Sequence, residues 1–270
     1  MNLDELAGIA EALVAPGKGI LAADGSTATI QKRFDAIGVD NTETNRRDYR
    51  ELLFRSTQAM TDHISGVILF DETIYQNAAD GTPLVKLIEQ SGSIPGIKVD
   101  AGAKPMAMFP DETITEGLDG LRNRLIGYHA LGARFAKWRA VIDVSETLPT
   151  PGSVAANAHA LARYAALCQQ NGIVPIVEPE VLMDGNHDVD RCFEVTEYVL
   201  KTTFSALFDA RVQLEGIVLK PNMIVAGKKS PTQADINEVA EKTITCLKLT
   251  VPSAVPGIAY LSGGQADELA

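Results

Sequence analysis

Short apolar runs rich in β-branched residues alternate with longer segments of helical period, and this alternation constrains the chain more than any other feature. Seven such runs occur: Gly17 to Asp24, Gly66 to Phe70, Pro95 to Asp100, Phe135 to Ile142, Ile173 to Glu180, Gly216 to Asn222 and Ile258 to Gly264. Helices are predicted between them over 3–14, 42–61, 118–131, 154–171, 189–208 and 233–250, with Asp40 and Glu43 as a capping pair for the second. Strand and helix in alternation predict repeated βα units around a parallel sheet. Pro175, near the start of the fifth run, removes one ladder hydrogen bond and is tolerated there.

The runs begin apolar and end at polar or ionisable groups: Asp24, Lys98, Lys137 with Arg139, Glu178 with Glu180, Lys220 and Ser262. In a (β/α) barrel the early strand positions fill the core and the carboxyl ends carry the chemistry. A chain of 270 residues with 46% hydrophobic content is enough for such a barrel as a single domain.

Lys220 follows three apolar residues and precedes a proline that stops the strand. Burial and a second cation, for which Lys137 is the candidate, lower an amine's pKa and make a neutral nucleophile accessible. Taken alone, the run fits equally well a strand-end lysine that snorkels to solvent or pairs with a carboxylate. Strand periodicity puts Lys137 and Arg139 on one face, where two cations need an anion between them. Asp24, Glu178 or a phosphorylated substrate could supply it, and so could a plain ion-pair network. Glu178 and Glu180 also share a face, and two close carboxylates cannot ionise equally, so one can serve as acid and base. The turn Ser262-Gly263-Gly264 offers free backbone N–H groups for an anion, and Lys98 could meet a second one.

Other classes of function are disfavoured. A net charge of −11 opposes nucleic acid or anionic membrane as the main partner. No apolar run approaches the roughly 20 residues that span a bilayer, and the acidic amino terminus lacks a signal pattern. Cys168, Cys192 and Cys246 show neither disulfide nor zinc spacing, which fits a reducing, cytoplasmic setting. His63, His129, His159 and His187 fall away from the strand ends, so no metal cofactor is expected, and Asp184 to Asp188 reads as a loop and helix cap.

The motifs LAADGST, NRRDYRELL, GVILFDET, GIKVDAG, FAKWR, ARYAALCQQNGIVPIVEPE, LKPNM and VPGIAYLSGGQ, in order along nearly the whole chain, resemble the class I fructose-bisphosphate aldolases. The resemblance implies a metal-independent lyase of glycolysis and gluconeogenesis, cytoplasmic and homotetrameric, that cleaves fructose 1,6-bisphosphate through a lysine imine. It assigns Lys220 as the imine lysine, Glu178 as the acid/base and Asp24 as the acceptor of the C4 hydroxyl proton. Lys137 and Arg139 then flank the sugar chain, Glu180 stands with Glu178, Ser262 and Gly263 bind one phosphate, and Lys98 with Ser26 binds the other. Gly25 departs from the family's usual glutamate and Asp71 from a frequent histidine.

The resemblance also implies a (β/α)8 TIM barrel, and seven runs use the whole length to Ala270. The expectation is therefore one barrel domain over 1–270, incomplete at its carboxyl end, without the eighth strand and terminal helix. A lyase for other sugar phosphates, such as fructose 1-phosphate, and an aldolase-derived scaffold protein are the rival readings.

Overall fold

The computed structural model describes residues 2–262 and 265. Its sheet is parallel, with six strands in the order β1 (Gly19–Ala23), β2 (Ile64–Leu69), β3 (Ile94–Lys98), β6 (Phe135–Ile142), β7 (Val174–Val181) and β8 (Val218–Leu219). Sequential strands are neighbours throughout, and the curled sheet with its surrounding helices is a TIM-barrel-like α/β fold. The helices are α1 (Leu3–Leu13), α2 (Thr27–Asp35), α3 (Glu43–Phe54), α4 (Thr57–His63), α5 (Asp71–Ile74), α6 (Leu84–Gln90), α7 (Leu121–Ala130), α8 (Pro151–Gln170), α9 (Val189–Asp209) and α10 (Ile236–Thr250).

The two faces of the sheet are read from strand alternation. On β6, Trp138 and Ala140 join the outer core under α8, where Trp138 stacks on Tyr164 with ring centroids 5.5 Å apart. Phe135, with Ile68, Val174, Ile176 and Val218, forms a separate inner core. Leu6, Ala10 and Leu13 of α1 cover that inner core at the strands' amino-terminal side. The Phe135 ring leaves room only for hydrogen at Gly96, where a Cβ would sit 2.3 Å from ring carbon. Two residues further along each inner row the apolar positions give way to Lys137, Glu178 and Lys220.

Several expectations need correction. The seventh run is not a strand among the described residues: it makes a single parallel bridge, Ile258 to Leu219. Its partner β8 has only two residues, because Pro221 after Lys220 has no N–H to extend a ladder. The predicted helix over 42–61 is two helices, broken at Arg55–Ser56, and its cap is Thr42, whose hydroxyl accepts from Asn45 N at 3.1 Å. An antiparallel hairpin, β4 (Ala103–Pro105) with β5 (Thr113–Thr115), interrupts the alternation after β3. Pro175 pairs with Ala136 near the start of a fully buried β7, as its position allowed.

Candidate active site

Lys137 lies at the centre of the site. It is nearly buried on the inner face of β6, and its Nζ donates to Asp24 Oδ2 at 3.0 Å and stands 3.5 Å from Glu178 Oε2. Glu178, from the next strand, accepts through Oε1 from Lys220 Nζ. Four residues thus form one chain, Lys137 and Glu178 within β6 and β7 and Asp24 and Lys220 just past β1 and β8: Asp24, Lys137, Glu178, Lys220. The Glu178 carboxylate stands between the two lysines, in contact with both.

Electrostatics follow from that alternation of charge. Burial pulls the Lys137 ammonium towards deprotonation, but Glu178 and Asp24 outweigh it and leave its pKa above the ordinary lysine value. Arg139 behaves alike: burial opposes its charge, and the bond to Glu180 together with the charges of Glu180, Glu178 and Asp100 outweighs it. Glu180 therefore belongs to Arg139, and Glu178 to the lysines. Glu178 is 1% exposed, and its Oε2 has no hydrogen-bond partner. A buried acceptor left in that state is available to a proton or a ligand hydroxyl.

Lys220 is fixed by backbone on both sides. Its N–H donates to Val177 O at 2.8 Å, and the preceding Leu219 exchanges bonds with the segment around Ile258, accepting from Ala259 N at 2.8 Å. The amine, mostly covered, is held by Glu178.

A cavity of about 280 Å³ opens beside Lys137. Asp24, Ser26, Lys98, Lys137 and Arg139 all line it, so five of the expected site residues meet there. Sequence reasoning missed Arg33, Thr29 and Asp100 in the same wall. Arg33 and Thr29 lie on α2, a short helix not predicted, which Ser26 caps by accepting from Thr29 N at 3.3 Å. Asp100 ends the run PGIKVD and was the available signal. Its Oδ1 accepts from Gly102 N at 3.0 Å and lies 3.5 Å from Lys98 Nζ. Glu178 and Lys220 do not line this cavity; they join it through Lys137.

Ser262 is not brought to this cavity. It lines an apolar groove of about 590 Å³ along α10, with Met223, Ile244 and Tyr260. Gly263 lies outside the described residues. The two departures from the family pattern are accommodated: Gly25 lines the cavity without a side chain, and Asp71 accepts from the Tyr128 hydroxyl. Among the described residues no group of three or more His, Cys, Asp or Glu side chains is arranged to hold a metal ion. No described helix is long and apolar enough to cross a membrane.

An α/β barrel with a buried lysine–glutamate pair at the carboxyl ends of adjacent strands defines the class of lysine-bearing barrel enzymes. The model of the family "Glycolytic: Fructose-bisphosphate aldolase class-I" matches residues 5–270. The chain is 59% identical over 268 residues to a probable fructose-bisphosphate aldolase class 1 of Xanthomonas campestris pv. campestris, covering 99% of this chain and 80% of that protein. It is 55% identical over 264 residues to fructose-bisphosphate aldolase C of Carassius auratus, covering 98% and 73%. Its structure superposes on fructose-bisphosphate aldolase from Plasmodium falciparum, solved in complex with TRAP and a small molecule inhibitor, with a TM-score of 0.96 at 48% identity, covering 99% of this chain and 77% of that one. The chain belongs to the class I fructose-bisphosphate aldolase family, metal-independent carbon–carbon lyases that act on phosphorylated sugars.

Proposed function

We propose that this chain reversibly cleaves fructose 1,6-bisphosphate to dihydroxyacetone phosphate and glyceraldehyde 3-phosphate, with Lys220 as the imine-forming amine. The observation that carries the assignment is the continuous contact from Lys220 through Glu178 and Lys137 to Asp24, with one oxygen of Glu178 buried and unbonded.

Lys220 passes a proton to Glu178 across their contact and attacks the C2 carbonyl. Glu178 then returns a proton to the departing hydroxyl, water leaves, and the protonated imine remains. Asp24 takes the proton of the C4 hydroxyl, the C3–C4 bond breaks, and its electron pair moves into the imine to give an enamine. Glyceraldehyde 3-phosphate leaves, C3 is protonated, and water hydrolyses the imine to release dihydroxyacetone phosphate. Lys137, in contact with both, aligns Asp24 and Glu178, while Arg139, paired with Glu180, flanks the sugar chain. Lys98 with Ser26 takes one phosphate, and Arg33 on the same wall adds a second positive charge. The turn Ser262-Gly263 is assigned the other phosphate on motif likeness alone.

The same reading takes 1–270 as one barrel domain working in a cytoplasmic homotetramer. Three free, buried cysteines support a reducing compartment, and likeness to the family supports the oligomer.

Borohydride reduction in the presence of dihydroxyacetone phosphate should attach the triose covalently to Lys220, read by peptide mass spectrometry, while EDTA leaves cleavage unchanged. Attachment to another lysine, or loss of activity on chelation, would overturn the assignment. Cleaving fructose 1-phosphate faster than the bisphosphate would move the substrate to the monophosphate.

A further inference from the structure

Two motifs of the sequence, NRRDYRELL and FDET, have no part in the reaction as assigned, yet they meet directly behind Asp24. Arg50, on α3, is fully buried at 0% exposure. Its Nε donates to Ala23 O at 3.2 Å and its Nη2 to Gly25 O at 2.7 Å, the carbonyls on either side of Asp24. Its Nη1 stands 3.5 Å from Glu72 Oε2, and the guanidinium lies 5.7 Å from the centre of the Phe70 ring. Glu72 is held in turn by Arg46, through Nε at 2.8 Å and through Nη2, and Arg46 is tied to Asn41 O at 3.0 Å.

A guanidinium is an expensive way to fill an interior. Burial weakens its hold on its proton, Glu72 opposes that, and Arg46 adds to it. An apolar side chain of similar volume would pack there without the penalty. It could not, however, hold two carbonyls at once, which the planar fork of an arginine does. The backbone needs holding here. The β1–β2 ladder ends at Ala23 opposite Leu69, and β1 has no other strand partner among the described residues. Asp24 and Gly25 lie past that ladder.

We propose that Arg50, backed by Glu72 and Arg46, is a positioning residue for Asp24: by fixing the carbonyls before and after it, Arg50 aims the Asp24 carboxylate at Lys137 and at the substrate's C4 hydroxyl. This rests on the reading of Asp24 as the acceptor of the C4 proton. Lys220 is tethered independently, through Val177 and the Ile258 segment, so imine formation does not depend on the clamp.

The test separates the two half-reactions. Arg50→Lys keeps the charge but cannot span both carbonyls, and Glu72→Gln loosens the clamp from behind. Steady-state cleavage of the bisphosphate is measured alongside borohydride trapping of dihydroxyacetone phosphate on Lys220. Misplacement of a reacting group by about 1 Å can cost about 10²-fold, so kcat for Arg50→Lys should fall by about that factor while KM and trapping stay within about twofold. Glu72→Gln should show a smaller loss of the same kind. A purely structural role would lower trapping and cleavage together; that result, or cleavage at the wild-type rate, overturns the proposal. If Arg50→Lys does not fold, Glu72→Gln decides on the same criteria. Asp24→Asn is run in parallel: if it is inactive while Arg50→Lys is normal, the clamp alone fails, whereas if Asp24→Asn cleaves normally, the reading of Asp24 falls and the clamp with it.

Discussion

The strands β6 and β7 and the loop that follows β7 both bury ionisable groups, and although burial opposes charge in both, their net shifts run in opposite directions. Lys137 and His187 are 9% and 6% exposed. Lys137 faces two carboxylates and keeps its proton more tightly than a free lysine. For His187, burial pushes the imidazole below its ordinary value and Arg191 adds to that, while Asp188 only partly opposes it; neither ring nitrogen has a hydrogen-bond partner. The difference is pairing rather than depth. An ion taken from water stays ionised inside a protein only where opposite charge and hydrogen bonds replace its hydration. The site has spent its carboxylates on its cations, which is why Glu178 can stand at 1% exposure between two lysines.

Breaking the paired region where proton transfer occurs should have the largest effect. Glu178→Gln keeps the shape and the hydrogen bond to Lys220 but removes the exchangeable proton, and kcat should fall by about 10² to 10⁴. Single-turnover trapping should locate the loss in imine formation and breakdown. A raised KM with unchanged kcat would make Glu178 a binding residue instead.

Removing the cation at the centre should be felt in folding as well as in rate. Lys137→Met leaves Asp24 and Glu178 facing each other without Lys137 between them, and stripping one partner from a buried pair costs about 3 to 5 kcal/mol. Urea unfolding measures it. Since the folded-state pKa of Lys137 is raised, the wild-type contribution is complete below the ordinary lysine value of 10.5 and is lost only as pH rises through the folded value. The deficit of the variant should therefore be constant across neutral pH.

The unpaired region should show the smallest effect, with the opposite sign in pH. The folded-state pKa of His187 is depressed below 6.5, so the unfolded chain binds the extra proton first and stability falls as pH drops below that value. His187→Phe fills the same space without titrating, and its melting temperature should decline less than that of the wild type between about pH 6.5 and 5. Equal slopes would mean that the imidazole finds a partner in solution.

Much of this architecture is legible in the sequence. Periodicity of two places Lys137 and Arg139 on one face of a strand, and the structure puts Trp138 in the outer core and Phe135 in the inner one, because a strand must alternate whatever surrounds it. The same rule put Glu178 and Glu180 together, and the proline after Lys220 marked a strand end. The hairpin β4–β5 and the short helices α2, α5 and α6 were not visible, since segments of 3 to 9 residues carry too little periodic signal.

Pairing was beyond the sequence for a different reason. Lys137 meets Asp24 across 113 residues, Lys220 meets Glu178 across 42, and Arg50 reaches Ala23 across 27. Local patterning can say that a charge sits at a strand end, but not which other strand end faces it. That choice belongs to sheet order and register, which set Arg139 opposite Glu178 in the ladder yet gave its guanidinium to Glu180, and left Glu178 for the lysines. The sequence alone determined the residues available for the chemistry; only the tertiary structure decided their partners, because Coulomb energy depends on distances of a few ångströms that folding, not chain order, creates.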